Sequence, residues 1–130
     1  VYKTVGLGTT IWSPLASGFL TGKYKGKHAK DFRLKREELG WLAEILLVEE
    51  NFNKIDKLDA LAKDLGMSLP QLGVSWCLKN ENVSTVILGA SKEYQLEENL
   101  KASELKTKLN AQVLEEIESI LDNKPTHPQF

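Results

Sequence analysis

At 130 residues, with 42 % apolar residues, 27 % charged residues and a formal charge of −1, the chain has the composition of a folded globular protein and excludes a disordered or strongly polyanion-binding segment. Cys77 is the only cysteine, so neither a disulfide framework nor a thiolate metal site can form within the chain, and a reducing, cytoplasmic setting is expected. No apolar run is long enough to span a bilayer and no charged-then-apolar leader opens the sequence, so direct membrane insertion is not expected.

The chain starts at Val1 rather than at methionine, and Val-Tyr-Lys-Thr carries no start signal, so it reads as a piece of something longer. Thr9, Thr10, Ile11 and Trp12 favour a strand, which Pro14 ends by withholding its N–H. Residues 17–35, with glycines at 18, 22 and 26 and weak periodicity, read as a long surface loop rather than a packed element. Lys23, Lys25, Lys27, Lys30, Arg33, Lys35 and Arg36 crowd its later part, with Asp31 the only acid among them. Lys23 and Arg33 are the candidates for anion contacts, since arginine forms paired hydrogen bonds to phosphate and lysine acts as a mobile point charge. The sequence pattern alone leaves a solvated charged loop equally open. Interleaved stacking aromatics are limited to Tyr24 and Phe32, which argues against nucleic acid as the partner.

Helical periodicity takes over at residues 38–49. It is clearer where Ile55, Leu58, Leu61, Ala62 and Leu65 share one face before Gly66. Ser68 and Gln71 have capping-box spacing, and Pro70 suits a first turn that needs no donor. In the helix that follows, Leu69, Leu72 and Trp76 form a stripe with Val74, Cys77 and Leu78 filling much of the remainder, so a largely buried helix with core Trp76 and Cys77 is predicted. Residues 83–88 are a continuous apolar and β-branched run, as in a parallel strand covered on both faces. Ser91 is the candidate cap of a helix over residues 92–101. A last helix over residues 111–121 turns Val113, Leu114, Ile117 and Leu121 inward, and residues 123–130 form a tail. Strand, loop, helices, strand, helix is a βαβ order, and its right-handed crossover makes it part of a parallel sheet or barrel that two strands cannot close.

Both strands exit into loops of small residues, and two such exits can line one ligand. At the second exit Gly89 admits a ligand to the backbone, and the helix start at Ser91 offers free N–H groups to an anion. Gln95, Glu98 and Asn99 share one polar face by their spacing and could grip a base or ribose. A plain turn, a cap and a solvated face explain the same residues. His28 and His127 lie in the loop and the tail, no metal-ligand spacing is present, and no acid–base constellation is found.

Taken together, Trp12-Ser13-Pro14-Leu15-Ala16-Ser17-Gly18 with Thr21-Gly22-Lys23-Tyr24, then Gly89-Ala90-Ser91 with Gln95, Glu98 and Asn99, resembles the aldo-keto reductases, in the branch that includes the β-subunits of voltage-gated potassium channels. The resemblance covers nearly the whole chain, Ser68-Leu69-Pro70-Gln71-Leu72 and Trp76-Cys77-Leu78 included. It implies an α/β fold, the C-terminal part of a (β/α)8 TIM barrel, in which this chain supplies the last two strands and their helices. Residues 1–122 would be a partial reductase domain. The resemblance implies NADP(H) as cofactor, with Trp12, Ser13, Pro14, Leu15, Ala16 and Ser17 along the nicotinamide and pyrophosphate, and Lys23 on a phosphate. Arg33 would stand near the 2′-phosphate, and Gly89, Ser91, Gln95, Glu98 and Asn99 would surround the adenosine. The family's Asp, Tyr, Lys and His catalytic group comes from earlier strands, so no catalytic residue and no metal ligand is assigned here. The implied substrates are aldehydes or ketones. The other readings are an NADP(H)-binding regulatory subunit of a potassium channel, or a homo-oligomer subunit, and a small α/β domain without ligand.

Overall fold

A computed structural model describes residues 1–25 and 33–126. Lys27, His28, Lys30, Asp31 and Phe32, and His127 in the tail, lie outside the described residues.

A short helix α1 (Tyr2–Val5), which the sequence pattern does not announce, closes on Gly6 and leads into β1 (Thr9–Ile11). The second strand, β2 (Val83–Val86), lies parallel to β1, with Thr10 opposite Thr85 and Ile11 opposite Val86. At the start of the pair the Thr9 amide and hydroxyl both donate to the Asn82 carbonyl, each at 2.8 Å. At its end the Ile87 N–H donates to the Ile11 carbonyl at 2.8 Å, so the pairing reaches past the last residue of β2. The expected parallel βαβ order is therefore present as a two-stranded sheet in a mostly helical chain.

β2 is not covered on both faces: Ser84 and Thr85 are exposed, and Val83 and Val86 are only half-buried. Helix α4 (Leu69–Lys79) packs on it from one side, and no second layer covers it among the described residues.

The helix expected over residues 38–49 divides. A 3-10 turn (Glu37–Leu39) leads into α2 (Gly40–Leu46), the chain extends at Val48, and α3 runs over Glu49–Asp64. The Asn51 side-chain amide makes the break affordable to the backbone, donating to the carbonyls of Ile45 (3.1 Å) and Leu46 (3.2 Å), which a helix end would otherwise leave without partners. Gly66, at φ 67°, terminates α3, and the Lys108 ammonium binds the Leu65 carbonyl at 2.7 Å. The capping box before α4 is formed, the Gln71 N–H reaching Ser68 Oγ at 3.4 Å and the Ser68 N–H reaching Gln71 Oε1 at 2.9 Å.

The chain then continues through α5 (Glu93–Leu100), α6 (Ala102–Leu105), a 3-10 turn (Lys106–Lys108) and α7 (Ala111–Leu121), whose first turn is capped by Asn110 Oδ1 accepting from the Val113 N–H. Ile55, Leu58, Leu61 and Ala62 of α3, Leu69 and Leu72 of α4, and Val113 and Ile117 of α7 meet in one apolar core.

Two expectations are overturned in this core. Residues 17–35 are not simply a surface loop: 3-10 turns at Ala16–Thr21, Lys23–Lys25 and Arg33–Lys35 pack Phe19, Tyr24 and Leu34 against α3 and α4. The apolar anchors lie too far apart for a helical or strand period, and the cations between them hide the pattern. Trp76, in turn, is 41 % exposed and Cys77 only half-buried. The face of α4 that is buried carries Val74 and Ser75, because Ser75 Oγ donates to the Ala102 carbonyl at 3.1 Å and the small pair draws α6 close on that side. Burial still raises the Cys77 thiol above its ordinary range, so it is no poised nucleophile.

Gln71 joins α4 to α5 as well as capping its own helix, its Nε2 donating to the Glu98 carbonyl at 2.9 Å. Replacing Gln71 by alanine is expected to lower stability by about 1–3 kcal/mol, more than the roughly 1 kcal/mol of Ser68→Ala, which removes the cap alone. Urea unfolding of both variants, compared by midpoint at constant slope, checks the order.

Candidate functional site

Parallel strands leave a sheet at the same end. Because Ile11 faces Val86 and its carbonyl accepts from Ile87, the segment that follows β1 and the segment that follows β2 emerge side by side.

After β1 the indole of Trp12 stands 78 % exposed. The chain then turns through Ser13 (φ 52°), Ala16 (φ 48°) and Ser17 (φ 56°), three non-glycine residues in the left-handed region. Each such residue costs of order 1 kcal/mol, and strain of this kind persists only where neighbours hold it. The holding bonds are local. The Ser13 carbonyl accepts from the Ala16 N–H at 2.9 Å, Ser13 Oγ accepts from the Ser17 N–H at 3.2 Å, and the Leu15 carbonyl accepts from Gly18 and Leu20. Pro14 contributes no donor. Gly73 of α4 lets this turn approach, since a Cβ there would stand 3.3 Å from the Leu15 side chain and 3.9 Å from the Pro14 carbonyl.

Lys23 folds back over the turn. A Cβ on Gly18 would lie 2.8 Å from its Nζ, so the glycine makes room for the ammonium, which also sits 5.4 Å from the centre of the Tyr24 ring. Desolvation there lowers the Lys23 pKa below the ordinary lysine value. Arg33 is exposed at the start of its 3-10 turn and is anchored by its neighbour Leu34, which is fully buried.

The second exit differs from expectation. Ser91 does not cap α5; the N-cap is Lys92, and it is Gln95 that closes the helix mouth. Gln95 Oε1 accepts from the Ser91 N–H at 3.0 Å, the Lys92 N–H at 3.3 Å and Ser91 Oγ at 3.2 Å. A glutamine three residues into the helix outcompetes a serine placed before it, because it reaches two amides at once. Gly89 is exposed, with open space where a Cβ would project.

Gln95, Glu98 and Asn99 do not share one solvated face. Gln95 turns back to the helix start, the main chain of Glu98 is tied to Gln71, and Asn99, only 5 % exposed, lines a cavity of about 200 Å³ with Val74, Ser84, Thr85, Leu88 and Ser103. Three features escaped the sequence pattern: Gly73, which reads as an ordinary helix residue; Gln71, which reads only as a cap; and the Tyr24 hydroxyl, hidden in a basic run. Among the described residues no group of His, Cys, Asp and Glu could hold a metal ion, and no helix is long and apolar enough to cross a membrane.

A sequence model of the aldo/keto reductase family matches residues 1–122. The chain is 47 % identical over 126 residues to a rice (Oryza sativa subsp. japonica) protein named "Probable voltage-gated potassium channel subunit beta", covering 96 % of this chain and 38 % of that protein. An Arabidopsis thaliana protein of the same name is 44 % identical over 130 residues, covering 99 % of this chain and 40 % of that protein. The chain thus spans about two fifths of the length of these relatives. The strained turn after a parallel strand, the adjoining cations and this similarity agree: the chain belongs to the aldo/keto reductase family.

Proposed function

We propose that these residues form the cofactor-binding portion of an NADP(H)-dependent reductase of aldehydes or ketones, residues 1–122 being part of a (β/α)8 barrel and residues 123–130 a tail. The observation that carries this reading is the pairing of Ile11 with Val86, by which the segments leading to Trp12–Ser17 and to Gly89–Ser91 leave the sheet at the same end.

The donor set fits a dinucleotide phosphate. The turn at Ser13, Ala16 and Ser17 keeps its backbone in a fixed, strained form, suited to meeting a pyrophosphate without reorganising. Trp12, Ser13, Pro14, Leu15, Ala16 and Ser17 run along the nicotinamide and pyrophosphate, and the exposed Trp12 indole offers a flat apolar wall to a ring. Lys23, partly desolvated and laid against Gly18 beside the turn, is the cation set to meet a phosphate of the ligand. Arg33, exposed and held at its backbone, meets the 2′-phosphate that distinguishes NADP from NAD. Gly89, Ser91, Gln95, Glu98 and Asn99 take the adenosine side: Gly89 through the open space at its Cα, Ser91 and Gln95 as the bonded pair that fixes this loop, Glu98 from a half-buried position, and Asn99 from the cavity wall. When bound, the nicotinamide supplies hydride chemistry. The residues of this chain bind and orient it, and no proton donor for a carbonyl oxygen is assigned among them.

The names of the rice and Arabidopsis relatives favour a second reading, a nucleotide-binding subunit that associates with a potassium channel. Both readings use the same nucleotide site and differ in what reads its occupancy.

Arg33→Ala in the full-length protein is expected to weaken NADPH by about 10- to 100-fold, the worth of a charge-assisted hydrogen bond, and to leave NADH nearly unchanged. Titration of both cofactors by quenching of tryptophan fluorescence measures it, and equal losses remove the 2′-phosphate assignment. Steady oxidation of NADPH by the purified protein with an aldehyde is the expected result for a free-standing reductase. Turnover absent alone, with co-purification of a potassium channel, establishes the second reading instead.

A further inference from the structure

The Tyr24 side chain is 8 % exposed, and its ring packs near Phe19 at 6.4 Å between centroids. Among the described residues its hydroxyl bonds in opposite senses to two backbone groups. It donates to the Ser17 carbonyl at 3.1 Å and accepts from the Leu34 N–H at 3.0 Å, the latter bond being buried. One phenol thus joins the last residue of the strained turn to the residue next to Arg33. Ser17 holds a left-handed backbone (φ 56°) whose N–H is tied locally to Ser13 Oγ and whose carbonyl is tied to Tyr24, and the Arg33 side chain is exposed, so its placement depends on the backbone at Leu34.

We propose that Tyr24 is a positioning residue for cofactor selection, its hydroxyl fixing the distance between the Ser13–Ser17 turn and Arg33, and so setting the preference for a dinucleotide that carries a 2′-phosphate. The assignment rests on the proposed role of Arg33. A pyrophosphate seated on the turn and a 2′-phosphate seated on Arg33 belong to one rigid ligand, so both contacts form together only if the two protein segments keep a fixed spacing. Removing the hydroxyl leaves the Leu34 N–H buried without its partner, which the backbone relieves by shifting, and the exposed guanidinium shifts with it. A cofactor lacking the 2′-phosphate loses only what the turn loses.

Tyr24→Phe keeps the ring and its packing and deletes the two bonds. In the full-length protein we expect NADPH to weaken about tenfold and NADH by less than about twofold, as the loss of one positioned hydrogen-bond set implies. Added to Arg33→Ala, Tyr24→Phe is expected to cause no further loss of NADPH, since the group it positions is gone. Hydrogen exchange on the nucleotide-free proteins supplies a second measurement: the Leu34 amide should exchange faster in Tyr24→Phe while the amides of α3 and α4 keep their protection. Equal weakening of both cofactors, additive losses in the double variant, or faster exchange throughout α3 and α4 would each make Tyr24 a core tyrosine and overturn the proposal. A wild-type protein with no preference between NADPH and NADH removes the role of Arg33 and this assignment with it. A preference that survives in Tyr24→Phe removes the role of Tyr24 alone.

Discussion

The parallel pairing of β1 with β2 is the constraint on which the other features depend. Antiparallel strands would send their following segments to opposite ends of the sheet, whereas the match of Ile11 with Val86 sends both the same way. A parallel pair cannot be closed by a tight turn; the chain must travel back before the second strand can begin. Here that return is made by α2, α3 and α4, and its length lets the segment after β1 be elaborate. The returning helices form the floor on which that segment packs.

Among these helices α4 is the joint. Each of its faces meets a different part of the molecule through small or polar residues rather than bulk. Gly73 admits the Pro14-Leu15 stretch, Gln71 ties the main chain of Glu98, and Ser75 holds Ala102. Leu69 and Leu72 supply the apolar core contact with α3. A helix that packs through glycine and serine brings its neighbours closer than one packing through leucine, and buried polar side chains fix the register that apolar contacts leave loose. The turn that follows β1 and the helices that follow β2 are therefore both referred to one element, although they lie far apart in the chain.

The sequence makes the strands, their parallel order, the capping box at Ser68 and Gln71, and the last helix legible, because each rests on a local rule: β-branched runs, cap spacing, or a period of 3.6 residues. What it hides has a common physical cause. Ser75 is buried and Trp76, expected in the core, is not, because the burial of a helix face is decided by what packs on it, and the Ser75 contact with Ala102 spans 27 residues. Phe19, Tyr24 and Leu34 disappear among cations because irregular 3-10 turns present no period to detect. The helix mouth at Ser91 reads as a serine cap, but Gln95 reaches farther and takes two amides. Of the candidate site, the turn after β1 was recognisable by its small residues and proline; that its geometry is left-handed at three non-glycine positions was not, since nothing in Ser, Ala and Ser announces it.

That strain bears on how a charged loop can act selectively. Lysines and arginines on a mobile surface attract any phosphate, and salt weakens the attraction without making it choosier. Discrimination needs the cations at fixed places relative to the rest of the ligand contacts. In this chain Lys23 is laid against Gly18, and Arg33 follows the position of buried Leu34, while Lys25 is paired with Asp56 across to α3. The apolar anchors that made residues 16–25 and 33–35 part of the core are thus what turns a basic segment into a set of placed charges. Burying Phe19, Tyr24 and Leu34 provides the stabilisation against which the three left-handed residues are held. Loosening those anchors would leave net charge, composition and strand pairing as they are and still undo the selectivity proposed above, because the charges would remain while their spacing would not.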